Sequence, residues 1–175
     1  LREAWNILNA IAEGKIESGD EKKLNALKGE TMAVIALCQF DLTRCFGYPY
    51  TKDKGASLGA PLIDHLVGTY ENPPRSTVAQ AYDFIIETLE EAVTLMSEEK
   101  NNGRMNKYAA RALLARIYLY HDDNRKAFDL ADQLIKDADT SGSYALYPHE
   151  KYVAAWSVEA KFGSESFFEI ANSVD

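Results

Sequence analysis

No stretch of this chain approaches the roughly 18 to 20 consecutive apolar residues that a membrane-spanning helix requires. Nor does any basic start lead into an apolar run with a cleavage site. The sequence as it stands is therefore expected to carry neither a targeting signal nor an anchor of its own. Basic residues are also scarce. Nineteen Lys and Arg face 27 Asp and Glu, for a formal net charge of −8 and a pI near 4.9. Phosphate recognition draws most of its affinity from Lys and Arg, so the balance argues against a nucleic-acid partner. The three histidines, His65, His121 and His149, are far apart and have no Cys or His at ligand spacing, so no metal site is expected. There are two cysteines, Cys38 and Cys45. On one helix they are separated by about two turns, roughly 10 Å, beyond the reach of a disulfide. They read as small apolar core residues and leave the redox compartment open.

With 175 residues and 46% apolar content the chain can build one core, and we expect a single helical domain over 1–175. It opens at Leu1, inside a pattern (Trp5, Ile7, Leu8, Ile11) that already reads as helix. It closes on an apolar run, Ser166 to Ala171, that has no partner strand before Asp175. Both ends are expected to continue in a longer protein.

Apolar positions at Leu27, Val34, Ile35, Cys38, Leu42, Cys45 and Phe46 follow helical spacing, with Asp20 as a cap before them and Gly47 and Pro49 after them. Residues 47–75 hold four of the five prolines and form a long Pro/Gly-rich connecting loop. Thr77 and Gln80 make a capping box ahead of the stripe Tyr82, Ile85, Ile86, Leu89, Val93, Met96. Tyr108 to Tyr120 is an alanine-rich helix suited to close approach from more than one side. Asn124 is expected to cap a further helix, with Ala127, Leu130, Ala131, Leu134, Ile135 and Ala138 on one face and Gly142 closing it. Leu114-Ala115-x-x-Tyr118 with Ala127 nine residues later fits the tetratricopeptide pattern, in which small residues sit where paired helices touch. Arg111 and Ala131 depart from it. The best pair spans 107–140, and the earlier helices form an interrupted pair. The expected fold is all-α, with tetratricopeptide-like helix pairs in an α-α superhelix and little or no strand.

Chemistry finds little purchase. Gly55-Ala56-Ser57-Leu58-Gly59 matches the G-x-S-x-G nucleophile elbow but lacks the strand before and helix after that the elbow needs. Asp137-x-Asp139-x-Ser141-Gly142 resembles a calcium loop whose twelfth position, which must be a bidentate Glu, is Pro148. The pairs Glu90-Glu91 and Glu98-Glu99 read as solvated helix faces. No catalytic residue, metal or cofactor is expected. Most of the ten Tyr and two Trp are core. Among those in irregular segments, Tyr70 and Trp156 are the candidate ligand contacts, since flat amphipathic rings stack on sugars or peptides.

Several ordered elements together resemble the SusD/RagB family. These are Gly29-Glu30-Thr31 leading through Phe40 to Gly47-Tyr48-Pro49, then Gly59-Ala60-Pro61-Leu62-Ile63, then Pro74-Arg75-Ser76-Thr77-Val78. The most specific is the run from Gly103-Arg104-Met105-Asn106 to Tyr120. Ile35 departs from the family's usual Arg. The resemblance implies a surface-exposed outer-membrane lipoprotein of Bacteroidetes-type bacteria, seated on a SusC-like TonB-dependent transporter and holding oligosaccharides or other nutrients without catalysis or cofactor. It implies that the lipid-bearing Cys precedes Leu1 and that ligand residues come largely from segments outside this range, so no ligand residue is carried over by motif. The alternative, from the repeat alone, is a tetratricopeptide adaptor binding a peptide segment of a protein partner.

Overall fold

The computed structural model describes residues 1–156 and 162–170. Its described residues form six α-helices and one two-stranded sheet. The helices are α1 (Arg2–Ala12), α2 (Glu21–Phe46), α3 (Val78–Leu95), α4 (Lys107–Tyr120), α5 (Asn124–Ser141) and α6 (His149–Ala155). The strands are β1 (Leu58–Pro61) and β2 (Arg75–Thr77). From α1 to α5 each helix packs on its sequence neighbour, and α4 also reaches α2. This is the expected all-α stack of helix pairs.

Local chemistry sets the helix ends. The Asp20 carboxylate accepts from the Lys22 and Lys23 backbone N–H groups. The Thr77 hydroxyl and Gln80 side chain form a reciprocal capping box on α3. Asp123, one residue before the expected Asn124, caps α5 by accepting from Lys126 N. Each such cap is worth about 1 kcal/mol.

The core lies between α2, α3 and α4. On α2 the buried residues include Gly29, Met32, Ala33, Ile35, Ala36, Gln39, Phe40 and Thr43, so Ile35 of the expected stripe is wholly buried while the face as a whole is rotated from that stripe. Val34, Cys38 and Leu42 are half-buried, while Cys45 and Phe46 are exposed. Cys45 is thus not a core residue, and both thiols are free. The rotation follows from close approach, because small side chains let α3 reach the α2 backbone. A Cβ on Gly29 would lie 2.9 Å from the Ala92 carbonyl oxygen and 2.7 Å from Met96 Cγ.

In the second pair Leu114, Ala115, Tyr118 and Ala127 are all buried, as the repeat pattern asks. Its two departures have different outcomes. Arg111 spans the pair and meets Asp137 of α5 at 2.7 Å, so an interhelical ion pair stands where the repeat has Trp. Ala131 leaves α5 without the large aromatic, and Ile135, expected on the buried face, is 66% exposed.

The 47–75 segment is more ordered than its composition suggests. A 3-10 turn (Tyr50–Lys52) opens it, and β1 pairs antiparallel with β2, with one extra residue in β1 between Leu58↔Thr77 and Pro61↔Arg75. Gln39 of α2, fully buried, holds the segment with both ends of its amide: Nε2 donates to Pro61 O (3.1 Å) and Oε1 accepts from Ile63 N (3.2 Å). Arg75 donates to the carbonyls of Gly59 (2.7 Å) and Leu58 (3.0 Å). Beyond α5, Tyr147 and Gly163 lie in close contact, and Phe167 packs on Tyr108 and Tyr144. The closing run therefore docks on α4 through its rings; Ala171 and Asp175 lie outside the described residues.

Gln39→Leu keeps the volume but strips two backbone groups of their partner. The expected cost is about 2–4 kcal/mol in chemical denaturation, with new proteolytic cleavage inside 47–75.

Candidate binding surfaces

The G-x-S-x-G motif serves a helix end. Gly55 O accepts from Ala79 N (2.9 Å) and Ser57 O from Val78 N (2.9 Å), so the motif's carbonyls satisfy two N–H groups that the first turn of α3 leaves orphaned. Gly55 has φ +75°, and a Cβ there would sit 2.6 Å from Ala79 N; both facts demand glycine. The Ser57 hydroxyl donates to Asp53, which lowers that carboxyl's pKa. A strand, β1, follows Ser57 where the elbow needs a helix.

The acidic motifs are likewise occupied. Asp137 is held below the ordinary carboxylate value by the Gln133 amide and then by Arg111. Glu90 accepts from the Tyr118 hydroxyl, whose pKa burial raises, so the phenol stays a donor. Glu91 pairs with Lys28 (3.0 Å) and Glu98 with Lys107 (3.3 Å). Among the described residues no three His, Cys, Asp or Glu side chains converge as a metal would need.

Of the two aromatic candidates, Tyr70 is 95% exposed in the loop before β2. Trp156 is 75% exposed just after α6, edge-on to Tyr152 with ring centroids 6.1 Å apart. The Tyr152 and Trp156 segment is helical in its approach, where the sequence reads as irregular. The structure does not join Tyr70 and Trp156 in one site, and neither lines the clefts below.

One cleft of about 600 Å³ lies between the start of α2 and the α3–α4 connection, lined by Lys22, Leu27, Glu30, Met96 and Arg104 among others. Two of its charged groups form a joint: the Arg104 guanidinium binds the Glu30 carboxylate, which also accepts from Met105 N (3.0 Å). Beside it Asn106 caps α4 through Ala109 N (3.0 Å) and donates to the Tyr144 hydroxyl (2.7 Å). A second cleft, about 630 Å³, lies over the loop and α3 and holds Asp64, His65, Glu71, Asp83 and Phe84. There His65 bridges two carboxylates, Nδ1 to Asp64 and Nε2 to Glu71, each at 2.6 Å. Sequence spacing hid this triad, because Glu71 comes back to His65 only through the fold of the loop.

The stacked pairs and their small-residue seams define an all-helical tetratricopeptide-type scaffold. The profile of the SusD-like family, described as starch-binding associating with outer membrane, matches residues 1–119, and the chain belongs to that family. A SusD superfamily protein of Bacteroides thetaiotaomicron is 41% identical with a TM-score of 0.89, over 97% of this chain and 36% of its own. A candidate sugar-binding protein of Bacteroides vulgatus is 38% identical with a TM-score of 0.86, over 98% of this chain and 39% of its own. A SusD-like carbohydrate binding protein of the same species shares the fold at 22% identity and a TM-score of 0.77, over 95% of this chain and 34% of its own. The chain thus spans little more than a third of these structures. No curated protein matches it.

Asp64 first and Glu71 second raise the His65 pKa above its ordinary 6.5, and the Gly68 N–H and then His65 lower Glu71 below 4.5. The His65 contribution is complete below 6.5 and fades as pH rises through the raised value. That of Glu71 is complete above 4.5 and fades as pH falls through the lowered one. The loop is therefore tightest between about 4.5 and 6.5. An NMR titration of the His65 ring should give a midpoint above 6.5 that moves down in Glu71→Gln; a midpoint at or below 6.5 contradicts the triad.

Proposed function

We propose that this chain is the helix-pair scaffold of a non-catalytic glycan-binding protein held at the outer membrane. In this reading the longer protein captures oligosaccharide beside a SusC-like TonB-dependent transporter, as a surface lipoprotein, and needs no cofactor. The observation that carries it is the family match over 1–119, reinforced by a relative described as a candidate sugar binder that superposes along nearly the whole chain.

The geometry supports the division of labour. A saccharide site must be concave and combine ring faces with convergent polar groups. Here Glu30, Arg104 and Asn106 are spent on joints between helices, and Tyr70 and Trp156 stand alone on the surface. We assign these two rings to ligand contact only as single faces that further chain completes. A catalytic role finds no support in Ser57, whose segment caps α3, or in the carboxylates, which are engaged with Lys28, Lys107 and Arg111.

Calorimetric titration with starch and laminarin oligosaccharides tests both halves of this reading. The longer protein is expected to bind and the isolated chain to show no binding at millimolar concentration or tighter. Binding by the isolated chain contradicts the scaffold assignment, and failure of the longer protein to bind any oligosaccharide contradicts the glycan assignment. Copurification with a β-barrel transporter from the native envelope tests the partner.

A further inference from the structure

Two exposed arginines share one pair of rings where α2 and α4 meet. On α4, Arg116, Leu119 and Tyr120 occupy positions i, i+3 and i+4, and so share one exposed face. Beside it on α2, Arg44 follows Phe40 by one turn. The Phe40 and Tyr120 rings meet edge to face, 5.4 Å between centroids. Arg44 Cζ lies 4.9 Å from the Tyr120 centroid and 5.3 Å from that of Phe40; Arg116 Cζ lies 6.0 and 5.8 Å from the same two.

Two guanidiniums are thus held over one ring pair by cation–π attraction. Among the described residues Arg116 has no carboxylate within ion-pair reach, and Arg44 has only Asp41, 3.4 Å away on its own helix and exposed. Exposed pairs of this kind contribute little. Two like charges on one ring pair repel each other, and the cation–π contacts that hold them there do not neutralise them. An anion set between them turns that repulsion into attraction. The rings meanwhile hold both forks ready, which reduces the ordering cost of binding.

Neither arginine nor Tyr120 lines either of the two clefts described above, and small molecules favour concave sites. Its composition is that of a protein interface, where Arg and Tyr carry most of the binding energy on flat ground. We propose that the Arg44–Arg116–Tyr120 surface docks a carboxylate-bearing segment of a protein partner. The inference stands apart from the glycan reading and survives its failure.

Hexaglutamate is the probe, titrated into the chain at low ionic strength, with hexalysine and an oligogalacturonate as the other arms. Binding of hexaglutamate alone is expected, weakened by added salt. It should fall about tenfold or more, about 1.4 kcal/mol, in Arg44→Gln/Arg116→Gln. Arg125→Gln, which removes an exposed arginine on α5, should leave it unchanged. Arg44→Lys/Arg116→Lys keeps the charge and should bind at intermediate strength, which separates lost charge from lost folding. The proposal is overturned if hexaglutamate does not bind, if the double Gln variant binds as well as the unaltered chain, or if oligogalacturonate binds more tightly than the peptide.

Discussion

The fold turns on how closely α3 can approach the α2 backbone. A single helix pair cannot bury its apolar face, so pairs must stack, and they stack here through a seam of small residues. Gly29, Ala33 and Ala36 on α2 face Ala81 and Ala92 on α3, and the four alanines are wholly buried. With so little side chain between them, Phe40, Ile85 and Leu89 fill the remaining space and are themselves inaccessible to solvent. The alanines of α4 extend the same device to the next helix.

The residues that carry the family resemblance are mostly the joints of this stack. Gly29 sits in the seam, and the neighbouring Glu30 fastens α2 to Arg104 and the Met105 N–H before α4. Asn106 starts α4 and grips Tyr144 across the second pair. Arg75 and Thr77 seat the return strand and cap α3. A pattern made of joints identifies a scaffold, whatever the molecule holds. This is why the comparisons establish membership in the SusD-like family from a chain that spans little more than a third of the relatives' length.

What could be read beforehand was what depends on near neighbours. Asp20, the Thr77–Gln80 box and Gly142 each act within a turn of their own position, and each does in the structure what its spacing implies. What could not be read depends on partners far along the chain. The order within 47–75 comes from Gln39, which reaches Pro61 and Ile63. Arg111, which looks like damage to a repeat, is an ion-pair partner of Asp137. Periodicity places α2 and α5 correctly but cannot say which neighbour covers which side, so Cys45 and Ile135 face outward. The Arg44 and Arg116 arrangement has no signature at all in sequence, since the two residues share the Phe40 and Tyr120 rings only where α2 and α4 meet.

Gly29→Ala tests the seam most directly, because two effects of opposite sign compete there. In an open helix the change is worth about 1 kcal/mol of added stability from propensity alone. If close approach governs the stack, the new methyl must push against the Ala92 carbonyl and Met96, and overpacking costs about 1–3 kcal/mol. Equilibrium denaturation of the variant should show a net loss of stability. A gain of about 1 kcal/mol would show that α3 is free to give way, and that the small-residue seam does not set the spacing of the stack.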